Sequence, residues 1–385
     1  MTAPLPKQSV ADGRTRHVER FVRDVLLTVP GGPQRVASVA TDVRMIRRAA
    51  RRRGLTMTKV GKETYFYAGR IAVGGVTTSR MTSLVGRLGL HLCDNKHEMK
   101  ELLAAAGLPT ARGITVGSDE FDVAVAELPR LKTAVLKPTF GMRSRGVTCD
   151  IVSEDDLQAA WKTALRAPRN RRFLLEEQVD GLDLKVLVIG GRPVAAVTRL
   201  PAHIVGDGRL SIAGLVEAKA GRRRENALLA ERSDLVLDPA RLARRGRTPV
   251  DVPSAGEVVV LHELVSLRFG GENVDVTDLV HPDLTALAVH ATRSLPGLAI
   301  SSVDLIVQDL RTVGGAVIVE VNAAPALAIH RFPAYGTPRD VAQAVVDEMI
   351  TRADLPRWWT WRQTRPIRLA RRGTRAARAR IAAAR

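Results

Sequence analysis

The sequence has little that could cross-link it or anchor it. Among 385 residues there are two cysteines, Cys93 and Cys149, far apart and without CxxC or histidine spacing beside them. That excludes a disulfide framework or a zinc finger and fits a reducing compartment. No apolar run reaches the length of a transmembrane helix. The N-terminal MTAPLPKQSVADGRTRHVERFVRD has no signal-type apolar segment beside its basic residues. A soluble, cytoplasmic protein is expected. Acid is missing from one stretch altogether: residues 356–385 hold ten arginines and no Asp or Glu, more than half of a formal net charge of +19. Such a segment, with Trp358, Trp359 and Trp361 at its start, suits an anionic lipid surface, a polyanion or an acidic peptide. A hydrated solubility tail fits it equally.

What is present suits a folded chain of two or three lobes, because 45% of residues are hydrophobic and the length exceeds one ordinary core. There is no internal repeat. Helices are predicted over 37–54, where Val39, Val43, Ile46 and Ala50 recur at helical spacing, and over 95–109, 284–295 and 337–353. Strands are predicted in pairs over 63–76, over 133–138 and 173–179, as a hairpin over 184–202 turning at Gly190-Gly191, and over 257–267, 300–310 and 315–323. Residues 218–256 read as a polar, arginine-rich surface excursion with helical patches. Frequent hairpins among the helices indicate α+β lobes rather than a doubly wound sheet. The expected division is 1–92, an N-terminal domain with an irregular lead-in; 93–355, the main body; and 356–385, the basic tail.

Three groups of residues carry chemistry. Asp304 lies on one predicted strand and Glu320 and Asn322 on the next, so all three can share a sheet face among apolar neighbours. Two carboxylates and an amide are hard oxygen ligands suited to Mg²⁺; a pair of salt-bridged surface acids is the plainer reading. Lys137 ends an apolar strand and opens VLKPTFGMRSRGV. Gly141 and Gly146 there would let backbone amides approach a phosphate, and Arg143 and Arg145 add charge. The alternative is a basic hairpin turn. LLEEQVDGLDLKVLV places Glu176, Glu177, Val179 and Asp183 at a candidate hinge, where the backbone could pair with an adenine edge and Asp183 with ribose hydroxyls. A plain edge strand with solvated acids fits that segment alone.

In order and spacing these groups resemble the ATP-grasp superfamily. Lys96, in CDNKHEMKELLAAAGLP, matches its first phosphate-binding lysine and Lys137 its second, while D…E-x-N matches its magnesium site. The segments KPTFGMRSRGV, VDGLDLKVLVIGGRPVAAVTRLPAHIVGDG, DVPSAGEVVVL, GGENVDVTDLVHPD and VEVNAAP look like the ATP-grasp domain of cyanophycin synthetases and the related glutathione-synthetase module of fused bacterial enzymes. The resemblance covers roughly 94–350. It implies two α+β lobes with ATP between them, preceded by a small N-terminal α/β domain. It also implies ATP and Mg²⁺, two ions or Mn²⁺ in their place, as cofactors. The implied reaction is amide or peptide ligation through an acyl phosphate, between small-molecule or peptide carboxylates and amines.

Lys96, Lys137 and Arg145 would neutralise phosphates, and Arg199 would face the acyl phosphate or the substrate carboxylate, with His203 near it as a structural or site residue. The chain departs from those relatives in its glycine loop, FGMRSRG in place of a DGNHGRG-like run. It departs again at SLRFGG, where Arg268 and Phe269 replace the small hydroxyls of NLSTGG, and at ALAIH after VNAAP. The further ligase domain of cyanophycin synthetases has no counterpart. A single-step ligase with a basic acceptor side, acting as a homo-oligomer, is therefore expected. The rival reading is a nucleotide-binding, poorly catalytic protein that docks on polyanions or anionic membranes.

Overall fold

The computed structural model describes residues 8–28, 33–141, 146–166, 171–232, 235–243, 245–262 and 265–355. Helix α1 (Gln8–Asp24) presents Val18, Phe21 and Val22 at the i, i+3, i+4 spacing of one helix face, and all three are buried against the large sheet. Helix α2 (Asp42–Arg52) starts at Asp42 rather than at residue 37, because Thr41 caps it and accepts a hydrogen bond from the Arg44 amide. It buries Met45, Ile46, Ala49 and Ala50 and leaves its arginines outward. A three-stranded meander follows: β1 (Thr56–Val60), which the sequence pattern did not predict, β2 (Glu63–Ala68) and β3 (Ile71–Val76). Helices α3 (Arg87–Asp94) and α4 (Lys96–Ala105) then lead into the first lobe.

That lobe runs β4 (Gly113–Gly117), α5 (Phe121–Leu131), β5 (Ala134–Pro138), β6 (Thr148–Ile151), α6 (Glu154–Leu165) and β7 (Arg172–Glu177). Its sheet has the order β4-β7-β5-β6, antiparallel throughout. Leu128, Leu136, Leu157, Phe173 and Leu175 form its core. Trp161 meets Phe121 and Phe173 edge to face, with centroids 5.3 and 4.8 Å away.

The second lobe is built on β8 (Leu182–Ile189) and β9 (Arg192–Leu200), a hairpin that turns at Gly190 and Gly191, both at positive φ, where the sequence predicts it. The chain continues through β10 (His203–Val205), α7 (Ile212–Arg224), α8 (Ala227–Ala230), α9 (Pro239–Ala243) and β11 (Val258–Val260). It ends with β12 (Glu272–Asp275), α10 (Pro282–Arg293), β13 (Ile300–Val307), β14 (Val317–Asn322), α11 (Ala328–Arg331) and α12 (Val341–Arg352). The large sheet has the order β12-β9-β8-β13-β14 and every pairing in it is antiparallel.

Two expectations are corrected here. The strand predicted over 257–267 shrinks to β11, which pairs with β10. The apolar run then gives way to a 3₁₀ turn over Leu267–Phe269, capped by Ser266 and ended by Gly270 at φ 81°. The arginine-rich segment 218–256 is no mere surface excursion. With α7 and the β10–β11 pair it encloses a core of Ile212, Leu215, Val216, Leu235 and Leu242, and it buries Lys219 and Arg223.

Alternation along the large sheet separates two environments. Leu184, Val186, Ala196, Val274, Val303 and Val321 enter the apolar core shared with α1 and α10. On the other face the register lines up Glu320, Asp304, Lys185 and Val197 in one cross-strand row, and Asp183, Arg199 and Asn273 in the next. Part of this second face is covered by α2, the β1–β3 meander and α12, whose buried residues pack with Leu187, Ile189, Ala195 and Val197 in one cluster. Arg53 clamps Asp347 through two bonds of 2.6 Å, fixing α2 on α12.

Candidate active site

The charged residues gather where the two lobes meet. Lys96 is the first residue of α4, presented there because Asn95 caps the helix. Its Nζ donates to the Gly141 carbonyl oxygen at 2.8 Å and lies 3.0 Å from Glu320 Oε1. One ammonium thus joins the glycine loop after β5 to the last strand of the large sheet. One helical turn on, Lys100 reaches Glu176 Oε2 at 2.8 Å, and Lys137 from β5 holds Glu176 Oε1. Burial pushes the Glu176 carboxyl up, but Lys137 and Lys100 more than offset this and hold it below the usual range. Glu177, next along β7, turns the other way and is clasped by Arg112 through Nε (2.9 Å) and Nη2 (2.8 Å).

On the large sheet, Asp304 lies opposite both Glu320 and Lys185. Lys185 Nζ holds Asp304 Oδ1, Arg199 Nη2 donates to Oδ2 at 2.9 Å, and Asn322 Nδ2 approaches Oδ1 at 3.4 Å. Arg199 also forms a fork on Asp183, with bonds of 2.6 and 2.7 Å. Burial opposes the charge on Asp304, and Lys185 and Arg199 overcome it, so the carboxyl is held low. The same carboxylates, Asp183 first, raise Arg199 above its ordinary value against the opposing effect of burial. A bulge falls between Asp304 and Leu305, just past this pairing.

The predicted site residues are therefore distributed as follows. Lys96, Gly141, Glu320, Asp304, Asn322, Arg199 and Asp183 form one connected set. Lys137 and Glu176 form a second, through Lys100. Glu177 pairs outside it with Arg112. Val179 is half-buried just past β7, and Gly146 is at φ 73°. Arg268 is exposed on the 3₁₀ turn with no ion pair among the described residues. Arg145, Met142, Arg143 and Ser144 lie outside the described residues.

His203 is fully buried and structural. Its ring meets the Pro201 carbonyl at 2.9 Å and Lys219 at 3.2 Å, and burial, then Lys219, lower it to about 4. Lys219 and Arg223 in turn face buried Glu272 at 2.8 and 3.6 Å.

Three participants escaped the sequence reading. Lys100 follows Lys96 by four residues, so helical spacing alone puts both on one face. Lys185 follows Asp183 by two, the strand equivalent. Arg112 carried no such signal.

No cluster of three His, Cys, Asp or Glu side chains suited to a metal occurs among the described residues. The donor set nonetheless fits Mg²⁺. Glu320 and Asn322 are half-buried, and Asn322 Oδ1 accepts no hydrogen bond among the described residues. Asp304 supplies a carboxylate already kept ionised by its neighbours. Lys96, Lys100, Lys137, Lys185 and Arg199 outnumber Glu176, Asp183, Asp304 and Glu320. That excess of positive charge suits a polyphosphate.

Comparison with known proteins agrees with this geometry. No protein-family model matches the chain. Cyanophycin synthetase of Trichormus variabilis is 34% identical over 323 residues, covering 81% of this chain and 35% of that protein. The glutathione biosynthesis bifunctional protein GshAB of Mannheimia succiniciproducens is 28% identical over 280 residues, covering 69% of this chain and 36% of its own length. The chain thus spans about a third of the length of these curated relatives. In fold it is similar to the bifunctional glutathione synthetase from Pasteurella multocida, with a TM-score of 0.59 and 23% identity over 81% of this chain and 44% of that one.

Proposed function

The chain belongs to the ATP-grasp superfamily, and from that premise we propose that it is an ATP-dependent carboxylate–amine ligase. The γ-phosphoryl group of ATP passes to a substrate carboxylate oxygen and ADP leaves. The amine nitrogen then attacks the acyl carbon; the C–N bond forms as the C–O bond to phosphate breaks, and the amine gives up a proton. Such chemistry depends on charge neutralisation and alignment more than on a protein nucleophile. Mg²⁺, when bound, offsets phosphate charge as a Lewis acid; Asp304, Glu320 and Asn322 would hold one ion or two, with Mn²⁺ as a substitute.

The chain's own residues do the rest. Lys96 and Lys137 meet the phosphates, with Gly141, Gly146 and Arg145 closing the loop over them. Glu176 keeps Lys137 in place until nucleotide arrives. The backbone at Glu177 and Val179 borders the adenine. Asp183 fixes Arg199, which faces the acyl group, and Arg268 lies on the acceptor side. The substrates are small-molecule or peptide carboxylates and amines.

The observation that carries this reading is the Lys96–Glu320 contact of 3.0 Å, which brings a phosphate cation of one lobe to the metal carboxylate of the other. The test is phosphate release from ATP and Mg²⁺ with paired acids and amines, peptides included. Stimulation that needs both partners, and product containing their amide, is expected. ATP binding without acid- and amine-dependent turnover would overturn it and favour the second reading, docking on anionic surfaces. That reading draws on the ten arginines of 356–385, which lie outside the described residues.

A further inference from the structure

We propose that a cavity on the far side of the large sheet from the active site binds a zwitterionic molecule of the amino-acid class with an apolar side chain. The cavity has a volume of about 500 Å³ and lies between α1 and the turn after β13. Its apolar wall is Phe21, Val25, Leu182, Leu279 and Leu310; Phe21, Leu182 and Leu310 are buried in the core. Part of its polar rim is already satisfied. Arg20 donates to Asp309 at 2.7 Å, and the His17 ring contacts the Gln308 carbonyl oxygen at 3.1 Å.

Two charged residues of the rim remain. Asp24 and Arg311 both line the cavity and are exposed, and neither has an ion-pair partner among the described residues. They do not pair with each other either, so they stand apart as one anionic and one cationic point beside an apolar wall. Arg311 is held in place at its backbone, where its amide donates to Asp309 Oδ1 at 2.9 Å. A ligand complementary to this arrangement has no net charge, separated opposite ends and an apolar body. An α-amino acid meets all three conditions, its carboxylate on Arg311, its ammonium on Asp24 and its side chain on the leucines. A dicarboxylate would leave a charge facing Asp24 and Asp309, and a diamine would face Arg20 and Arg311.

The site is distinct from the cleft and does not rest on the ligase reading. Leu182 faces the cavity, while the next residue, Asp183, faces the other side of the sheet and holds Arg199. The test is calorimetric titration of the full chain with L-leucine and L-phenylalanine, and with N-acetyl-L-leucine and L-leucinamide, each of which lacks one charge. Saturable binding of the free amino acids is expected, weakened at least about tenfold by either blocked end. Arg311→Glu and Asp24→Lys should each weaken it comparably, with Arg311→Gln and Asp24→Asn serving if a reversal impairs folding. No saturable binding of either amino acid would overturn the proposal. Binding that survives the rim substitutions would place the amino acid elsewhere and overturn it equally.

Discussion

Asp304 and Glu320 stand directly opposite each other on β13 and β14, and each is answered by a different lysine: Lys185 from within the sheet, Lys96 from across the cleft. Like charges in direct register repel. The pair persists because one member is neutralised permanently, by Lys185 and Arg199, and the other by a lysine that is half of an inter-lobe contact.

Lys185→Met tests the permanent member. Asp304 would keep Arg199 but lose its nearest cation while fully buried, and breaking a buried pair costs about 3–5 kcal/mol. Urea unfolding should show a loss of that size, and Lys185→Met with Asp304→Leu should recover part of it. A loss below about 1 kcal/mol for the single variant would mean that Arg199 alone suffices.

Glu320→Ala tests the other member. The side chain is half-buried at the cleft, so the melting temperature should move by only a few degrees, about 1 kcal/mol or less. ATP turnover should fall by about a hundredfold or more. Turnover retained within severalfold would remove Glu320 from the metal site.

Lys137→Ala should weaken ATP binding by about tenfold or more, read by calorimetry, because a desolvated phosphate loses a charged donor. Glu176 would then rely on Lys100 alone, and its carboxyl would rise from its lowered position. Unchanged ATP affinity would mean that Lys137 serves only Glu176.

Acid should weaken the fold through two buried histidines. Burial, then Lys219, lowers His203 from 6.5 to about 4; burial, then Lys185, lowers His330 from 6.5 to about 3. Both are neutral when folded and free to protonate when unfolded. Their contribution to stability is complete above 6.5 and is lost as pH falls towards those lower values, each adding about 1.4 kcal/mol per pH unit. Urea midpoints should drop between about pH 7 and pH 5. His330→Leu should flatten that slope by about one proton's worth.

The parts of the site readable in the sequence were those fixed by local periodicity. Asp304, Glu320 and Asn322 follow from strand alternation, Lys96 from a capped helix, and the β8–β9 turn from paired glycines. What stayed hidden depends on which strands become neighbours. Nothing local says that β5 lies beside β7, yet that pairing brings Lys137 within reach of Glu176. Nor does KAGRRRE signal a buried lysine; Lys219 goes inside because Glu272, 53 positions later, is there to meet it. The run over 257–267 misled for the opposite reason. Its apolar alternation is real, but only β10, three residues long, is available to pair with it.

The two-faced large sheet also bears on how this chain can change over evolutionary time. Losing or gaining a single residue within β8 would swap the faces of everything beyond it, sending Asp183 or Lys185 into hydrocarbon and a leucine into the cleft. Substitution can therefore explore this strand, whereas length variation is confined to the connections around it. Alignments of descendants should show β8 free of gaps however far their side chains diverge.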